Sequence, residues 1–255
     1  MRVTVLGASP VRPNPGGVCT GYLVQSGSAS LLVDCGTGVL GQLLRHATLP
    51  GLDAVFISHA HPDHCLDLVN IRQSLAYVPS ERRQQPLPVL ASAATISTLE
   101  ALGEVFAGPD GAYWDGYCRF LEVSPNRAEH IGPWSLDFAW TRHYIPCLAL
   151  GARTERAHLV FGADGGPDEV MARFAAGSDL LILESTLLES QAEAEGPERG
   201  HLSGAEAGRL AERAGARRLL LTHYFAELGP RVLAEARAAG GVPVDLARQG
   251  ELHDI

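Results

Sequence analysis

The segment FISHAHPDHCLDL, Phe56 to Leu68, carries three histidines and two aspartates directly behind a short apolar run. On a turn just beyond a strand, alternate residues point the same way, so His59 and His61 can grip one ion. A helix opening at Pro62 would swing Asp63 and His64 toward a second position a few ångströms away. Imidazole and carboxylate together suit zinc, manganese or iron, and the mixture does not choose among them. Four ligands in one loop cannot close two metal sites, so other segments must contribute. Three candidates stand where apolar runs stop: His143 after LDFAWT, Asp164 after LVFGA and His223 after LLLT. Each alone would read as a hydrogen-bonded structural residue. Beside the first loop, each reads as a ligand.

Composition narrows the chemistry. All 20 basic residues are arginine, which removes a Walker A lysine, a Schiff-base enzyme and a lysine general base. The net charge of −9 disfavours tight binding to long nucleic acid over most of the surface. A small anionic substrate stays compatible, because metal ions would supply local positive charge. Five scattered cysteines with no C-x-x-C pair suit a reduced, intracellular protein without disulfides or a zinc knuckle. The opening VTVL is too short for a signal-peptide core, and no apolar run reaches the roughly 18–20 residues of a membrane span. A cytoplasmic location is the expectation, without a membrane partner.

These side chains need a scaffold that brings strand ends together. β-like runs are expected at Arg2–Leu6, Thr20–Gln25, Ser30–Asp34 and Ala54–Ser58, with helical spacing in TGVLGQLLRHA and from Leu66 to Val78. PLPVLAS reads as a strand and Ala93–Phe106 as a helix ending near Gly108. A β-rich middle follows at Tyr117–Val123, Ser135–Thr141, Leu148–Arg153 and Ala157–Phe161. The last third alternates helix 167–175, strand 179–184, helix 203–214, strand 217–222, helix 229–239 and strand 242–246. Two β-rich blocks, each followed by α/β alternation, predict two mixed sheets packed face to face with helices outside, an α/β arrangement of four αββα layers. LLVDCGTG echoes LVFGADGG, and DAVFISH echoes RRLLLTH, as two related halves would. The segment 191–200, QAEAEGPERG, reads as a mobile loop, so residues 1–255 are taken as a single domain.

The order H-x-H-x-D-H, a distant histidine, an aspartate after an apolar run and then THY resembles the metallo-β-lactamase fold superfamily. The likeness runs nearly end to end and is strongest to the branch of ribonuclease Z and related phosphodiesterases. SHAHPDHCLDL, TGVLGQLLRH and HLSGAEAGRLAERAGARRLLLTH are especially similar to atypical bacterial cyclic-nucleotide phosphodiesterases of this fold. The resemblance implies two divalent ions, zinc foremost with manganese or iron as alternatives. His59, His61 and His143 would hold one ion, Asp63, His64 and His223 the other, with Asp164 between them. Two features depart from the family. Ala149 stands where a glycine is usual, which puts the strand after His143 in question, and ADG replaces GDT around Asp164.

By resemblance Asp34 would bond a ligand histidine or the backbone of the histidine loop; read from its place alone, it would cap the following helix. Gly36 and Gly38 permit a tight turn without forming a phosphate-binding fingerprint. His201 lies ahead of a helix that Ser203 and Glu206 would open as a capping box. By resemblance His201 would reach a scissile phosphate from outside the metal shell, as a general acid or as a donor stabilising the charged transition state, and Asp63 would orient the attacking water. Cys65 reads as a small buried apolar residue. His46, His130, His158 and His253 match no motif and read as surface or structural residues.

The expected reaction is hydrolysis of a phosphodiester, a small cyclic nucleotide foremost. A ribonuclease Z-like role would need a glycine- and proline-rich arm, yet only 20 residues separate His143 from Asp164. Hydrolysis of a carboxylic ester, lactone or thioester is the other rival, and Tyr224 keeps it open. A non-catalytic metal scaffold would need vacant or substituted ligand positions. Many relatives dimerise, but no patch diagnostic of a homodimer stands out.

Overall fold

A computed structural model describes residues 1–107, 112–125 and 127–255. Seven strands form the first sheet: β1 (Arg2–Gly7), β2 (Gly21–Ser26), β3 (Ala29–Val33), β4 (Ala54–Phe56), β5 (Leu87–Ala91), β6 (Cys118–Glu122) and, beside β1, β14 (Leu252–Asp254). The second contains β7 (Glu129–Ile131), β8 (Trp134–Trp140), β9 (Leu148–Arg153), β10 (His158–Phe161), β11 (Leu180–Glu184), β12 (Leu219–Thr222) and β13 (Val244–Leu246) in unbroken order. Each sheet starts antiparallel and becomes parallel, at β3–β4 in the first and at β10–β11 in the second.

Alternation along the strands sorts side chains into layers. Tyr22, Val24, Leu31 and Val33 face inward and meet Phe138, Leu150, Leu159 and Phe161 of the opposite sheet. Their neighbours Leu23 and Leu32 face outward, where Leu43, Leu68, Ile71 and Leu99 cover them from α1 (Val39–Leu43), α3 (Asp67–Tyr77) and α4 (Ala93–Ala107). The outer face of the second sheet, with Val160, Leu181 and Leu183, is covered from α5 (Glu169–Phe174), α7 (Gly204–Ala214) and α8 (Gly229–Ala239). This is the expected αββα sandwich of two mixed sheets. Among the described residues no helix is long and apolar enough to cross a membrane.

Two differences from expectation have local causes. Residues 191–195 of the supposed loop belong to helix α6 (Glu189–Glu195), because Gln191 Oε1 accepts the Leu188 N–H at 2.8 Å and Glu235 accepts that of Glu189 at 3.0 Å. The three-residue strands β7 and β14 are too short to show a period in the sequence. The expected end of α4 near Gly108 falls outside the described residues. Helices α7 and α8 pack backbone to backbone: a Cβ at Gly208 would lie 2.4 Å from the Ala236 carbonyl oxygen. The capping box forms as expected, Ser203 Oγ accepting the Glu206 N–H at 3.2 Å and Glu206 Oε2 accepting that of Ser203 at 3.0 Å.

The first echo between the halves falls on corresponding strands of the two sheets. LLVD ends β3 and LVFGAD ends β10, the strands where both sheets turn parallel. Asp34 (φ 55°) and Ala163 (φ 51°) share a left-handed backbone there. The second echo is one strand out of step, since β4 adjoins β3 whereas β12 is separated from β10 by β11.

Candidate metal centre

Strands of both sheets end at one edge of the sandwich. Beyond β4 the chain turns through Ser58 to His59 and His61, and Pro62 opens the short helix α2 (Pro62–Cys65), which carries Asp63 and His64. The second sheet contributes His143 after β8, Asp164 after β10 and His223 directly after β12. This follows the general placement of sites at the carboxyl ends of parallel strands.

The sequence-nominated groups converge. One ligand atom each of His59, His61, His143 and Asp164 lie within 4.8 Å of one another, and so do those of Asp63, His64 and His223. The Asp164 carboxylate faces both trios, with Oδ1 3.3 Å from His64 Nε2 and Oδ2 3.3 Å from His223 Nε2, 3.8 Å from His59 Nε2 and 4.0 Å from His143 Nε2. Asp63 Oδ2 sits 3.1 Å from His223 Nε2. Ala149 pairs with Ala139 and is buried, and His143 reaches the cluster.

The outward nitrogens explain why the inward ones are bare. His64 Nδ1 lies 2.7 Å from Asp34 Oδ2, His143 Nδ1 2.9 Å from the Gly200 carbonyl, His223 Nδ1 2.8 Å from Thr186 Oγ and His59 Nδ1 3.0 Å from Ser58 Oγ. Each ring thus places its Nδ1 proton on an oxygen and turns Nε2 inward. His61 reverses this, presenting Nδ1 to His59 Nε2 at 3.0 Å and to His143 Nε2 at 3.2 Å. Buried His64 Nε2 has no hydrogen-bond partner among the described residues. Converging ring nitrogens, a buried nitrogen left bare and carboxylates facing them fit a pair of divalent cations.

Within the cluster, burial and neighbouring charges compete. Burial holds His59 well below the ordinary imidazole pKa, and neighbouring His64 adds to the effect. Burial opposes ionisation of Asp164, yet His223 and His64 hold its carboxyl well below the usual range. Burial likewise opposes the imidazolium of His64, and flanking Asp164 and Asp34 overcome it, raising that pKa well above its ordinary value.

Asp34 takes its expected supporting place and not the alternative as a helix cap. Its carboxylate accepts Ser58 N–H and Ser58 Oγ–H, each at 2.8 Å, besides the His64 ring. The N–H of Leu40 in α1 goes instead to Asp67 Oδ2 at 2.7 Å. Gly36 matters through close approach, since a Cβ there would fall 1.8 Å from the Asp63 carbonyl oxygen.

His201 stands beside the cluster, its ring 5.2 Å from that of His143 and stacked 5.7 Å from that of His223. Its Nδ1 lies 2.8 Å from Glu184 Oε1. The buried Glu184 also accepts the Gly165 N–H at 2.8 Å and, through Oε2, the Thr186 hydroxyl at 2.6 Å. Burial lowers the His201 pKa, but Glu184 dominates and raises it to about 9. Neither Glu184 nor Thr186 was nominated from sequence, although LLILE is again an apolar run ending in a carboxylate. Cys65 is buried as expected, as are His158 and His253, whereas His46 and His130 lie on the surface.

Residues 29–224 match the β-lactamase superfamily domain. The chain belongs to that superfamily and is a metal-dependent hydrolase. The probable metallo-hydrolase YhfI of Bacillus subtilis is 32% identical over 98% of both chains. The crystal structure of YhfI covers 99% of this chain and 98% of its own at 30% identity, with a TM-score of 0.87. Ribonuclease Z of Mycobacterium bovis is 28% identical over 96% of this chain and 95% of its own. A diphosphatase of the PhnP family shares the fold, with a TM-score of 0.76 at 19% identity, covering 100% of this chain and 97% of its own.

Proposed function

We propose that this hydrolase cleaves a phosphodiester and that its substrate is a small cyclic nucleotide of the 3′,5′-cyclic AMP or cyclic GMP type. The observation that carries the reading is the His201–Glu184 pair beside the histidine–aspartate cage. Two cations held by His59, His61, His143, Asp63, His64, His223 and Asp164, zinc foremost with manganese or iron as alternatives, would supply an activated water and neutralise charge on phosphoryl oxygens. Asp63, with His223 on one side of its carboxylate, orients the attacking water. His201 commits Nδ1 to Glu184, which leaves Nε2 to face the substrate. With a pKa raised to about 9 it holds its proton at neutral pH and donates it to the departing ribose oxygen. An alkoxide is a poor leaving group, and a held imidazolium answers that need.

The names of two similar proteins, a ribonuclease Z and a diphosphatase, both concern phosphorus chemistry. Small size is supported by the stretch between His143 and Asp164, where residues 154–157 join β9 to β10 tightly and no tRNA-gripping arm is inserted. The carbonyl-ester reading loses its main support, because the Tyr224 hydroxyl donates to the Ala247 carbonyl at 2.9 Å.

The test uses protein stripped of metal and reloaded separately with zinc, manganese or iron, then offered cyclic AMP, cyclic GMP and a tRNA precursor. Turnover of a cyclic nucleotide is expected, falling by at least roughly a hundredfold in Asp63→Ala with the circular dichroism spectrum retained. Absence of cyclic-nucleotide turnover with all three ions would remove that substrate. Cleavage of the precursor instead would install the ribonuclease Z-like reading.

A further inference from the structure

Tyr144 is 62% exposed and immediately follows His143. Exposed aromatics also occur at Tyr77, Phe106 and Trp140, and a single one on a surface needs no explanation. Tyr144 differs in its surroundings. Its ring centroid lies 5.2 Å from that of His143 and 5.7 Å from that of His201, so it borders both the cage and the proton donor.

The ring is also supported from one side. A Cβ at position 200 would sit 2.9 Å from Tyr144 Cε2, 3.0 Å from Cδ2 and 3.0 Å from His143 Nδ1. With glycine there, the backbone of residue 200 lies against the ring without displacing it, while its carbonyl oxygen accepts the proton of His143 Nδ1 at 2.9 Å. One contact thus sets a metal-facing imidazole and an aromatic ring in fixed relation, with most of the ring left to solvent. Among the described residues, the Tyr144 hydroxyl makes no hydrogen bond within the protein. What it offers is a planar, apolar surface at the rim of the site.

We propose that Tyr144 is the platform on which the planar base of the substrate stacks while the phosphodiester sits at the cage. The inference rests on the phosphodiester reading and deepens it, because it makes a base-bearing nucleotide the preferred substrate over a bare sugar phosphate. Aromatic stacking tolerates any base, so Tyr144 selects for the presence of a base and discriminates little between adenine and guanine.

The experiment compares kcat/KM for 3′,5′-cyclic AMP and for the cyclic phosphate of methyl riboside, which lacks a base. Manganese-loaded wild type and the variants Tyr144→Ala, Tyr144→Phe, Tyr144→Trp and Gly200→Ala are assayed in parallel. Calorimetric titration with AMP, the product, reads binding independently of turnover. In Tyr144→Ala the preference for the base-bearing substrate falls roughly five- to a hundredfold, mostly in KM, and AMP binding weakens by a similar factor. Tyr144→Phe and Tyr144→Trp retain the preference, and Gly200→Ala reduces it by tilting the ring. If wild type turns over cyclic AMP while Tyr144→Ala keeps its preference, the platform is overturned and the phosphodiester reading stands. Loss of preference in Tyr144→Phe also overturns it, since the hydroxyl and not the ring face would then be responsible. If wild type turns over neither cyclic phosphate with zinc, manganese or iron, the cyclic-nucleotide reading falls and the platform falls with it.

Discussion

At the cage, four imidazoles owe their inward-facing nitrogen to an oxygen on the far side of the ring. Those oxygens belong to Ser58, Asp34, Gly200 and Thr186. Glu184 extends this layer, because the Thr186 hydroxyl that receives His223 Nδ1–H itself donates to Glu184, whose other oxygen faces His201. One buried carboxylate therefore orients a cage histidine, His223, and lies against His201, the proposed proton donor. Glu184→Gln keeps the volume and removes the charge; kcat is expected to fall on the order of a hundred- to a thousandfold. Metal content, read by atomic emission on the same preparation, should stay near that of wild type. A variant with kcat within about twofold of wild type would show that His201 does not depend on this carboxylate. The seven cage residues were legible because four lie within six positions and three follow apolar runs. Glu184 and Thr186 were not, since one carboxylate at a strand end and one hydroxyl nearby gain meaning only when folding sets them against His201 and His223.

Elements act here mainly through their ends. Asp34, Ala163 and His223 all take left-handed backbone angles, near 51–55° in φ, just past β3, β10 and β12. Each costs on the order of 1 kcal/mol or more for a residue with a Cβ, and paired strands hold the conformation in place. Most strands were legible from apolar runs, whereas α6, β7 and β14 depend on tertiary partners. His158, at the start of β10, shows what an element buries away from the site. Its Nδ1 is buried without a partner among the described residues, and burial, helped by Arg153, lowers its pKa to about 4. The unfolded chain takes up that proton near pH 6.5 and the folded chain only near 4. Stability is thus unaffected above roughly pH 6.5 and declines as pH falls toward 4, by on the order of 1–3 kcal/mol. Urea titrations of wild type and His158→Gln at pH 7.5 and 4.5 check this. The gap in stability between the two proteins should shift in favour of the variant at the lower pH, and an unchanged gap would contradict the assignment.

Across the whole molecule, two sheets meet along one edge, and the site exists only where both supply residues. Cations bound there would tie the first sheet, through His59, His61, Asp63 and His64, to the second, through His143, Asp164 and His223. Stripping them should lower the melting temperature by roughly 10–20 °C, the shift expected when two ions, each at about a hundredfold over its Kd, are removed. Scanning calorimetry before and after chelation, with zinc or manganese added back, measures it. An unchanged transition would mean that the cluster holds no ion of consequence.

The outermost ribbon of the first sheet carries a different consequence. Three residues, Leu252 to Asp254, hydrogen-bond along the free side of β1, a strand buried along all but its first residue. A bare strand of that kind invites pairing with its counterpart in another molecule. That short ribbon acts as a guard rail: a chain trimmed of it would keep its catalytic edge, on groups far from the cut in sequence, yet become prone to sticking edge to edge and dropping out of solution.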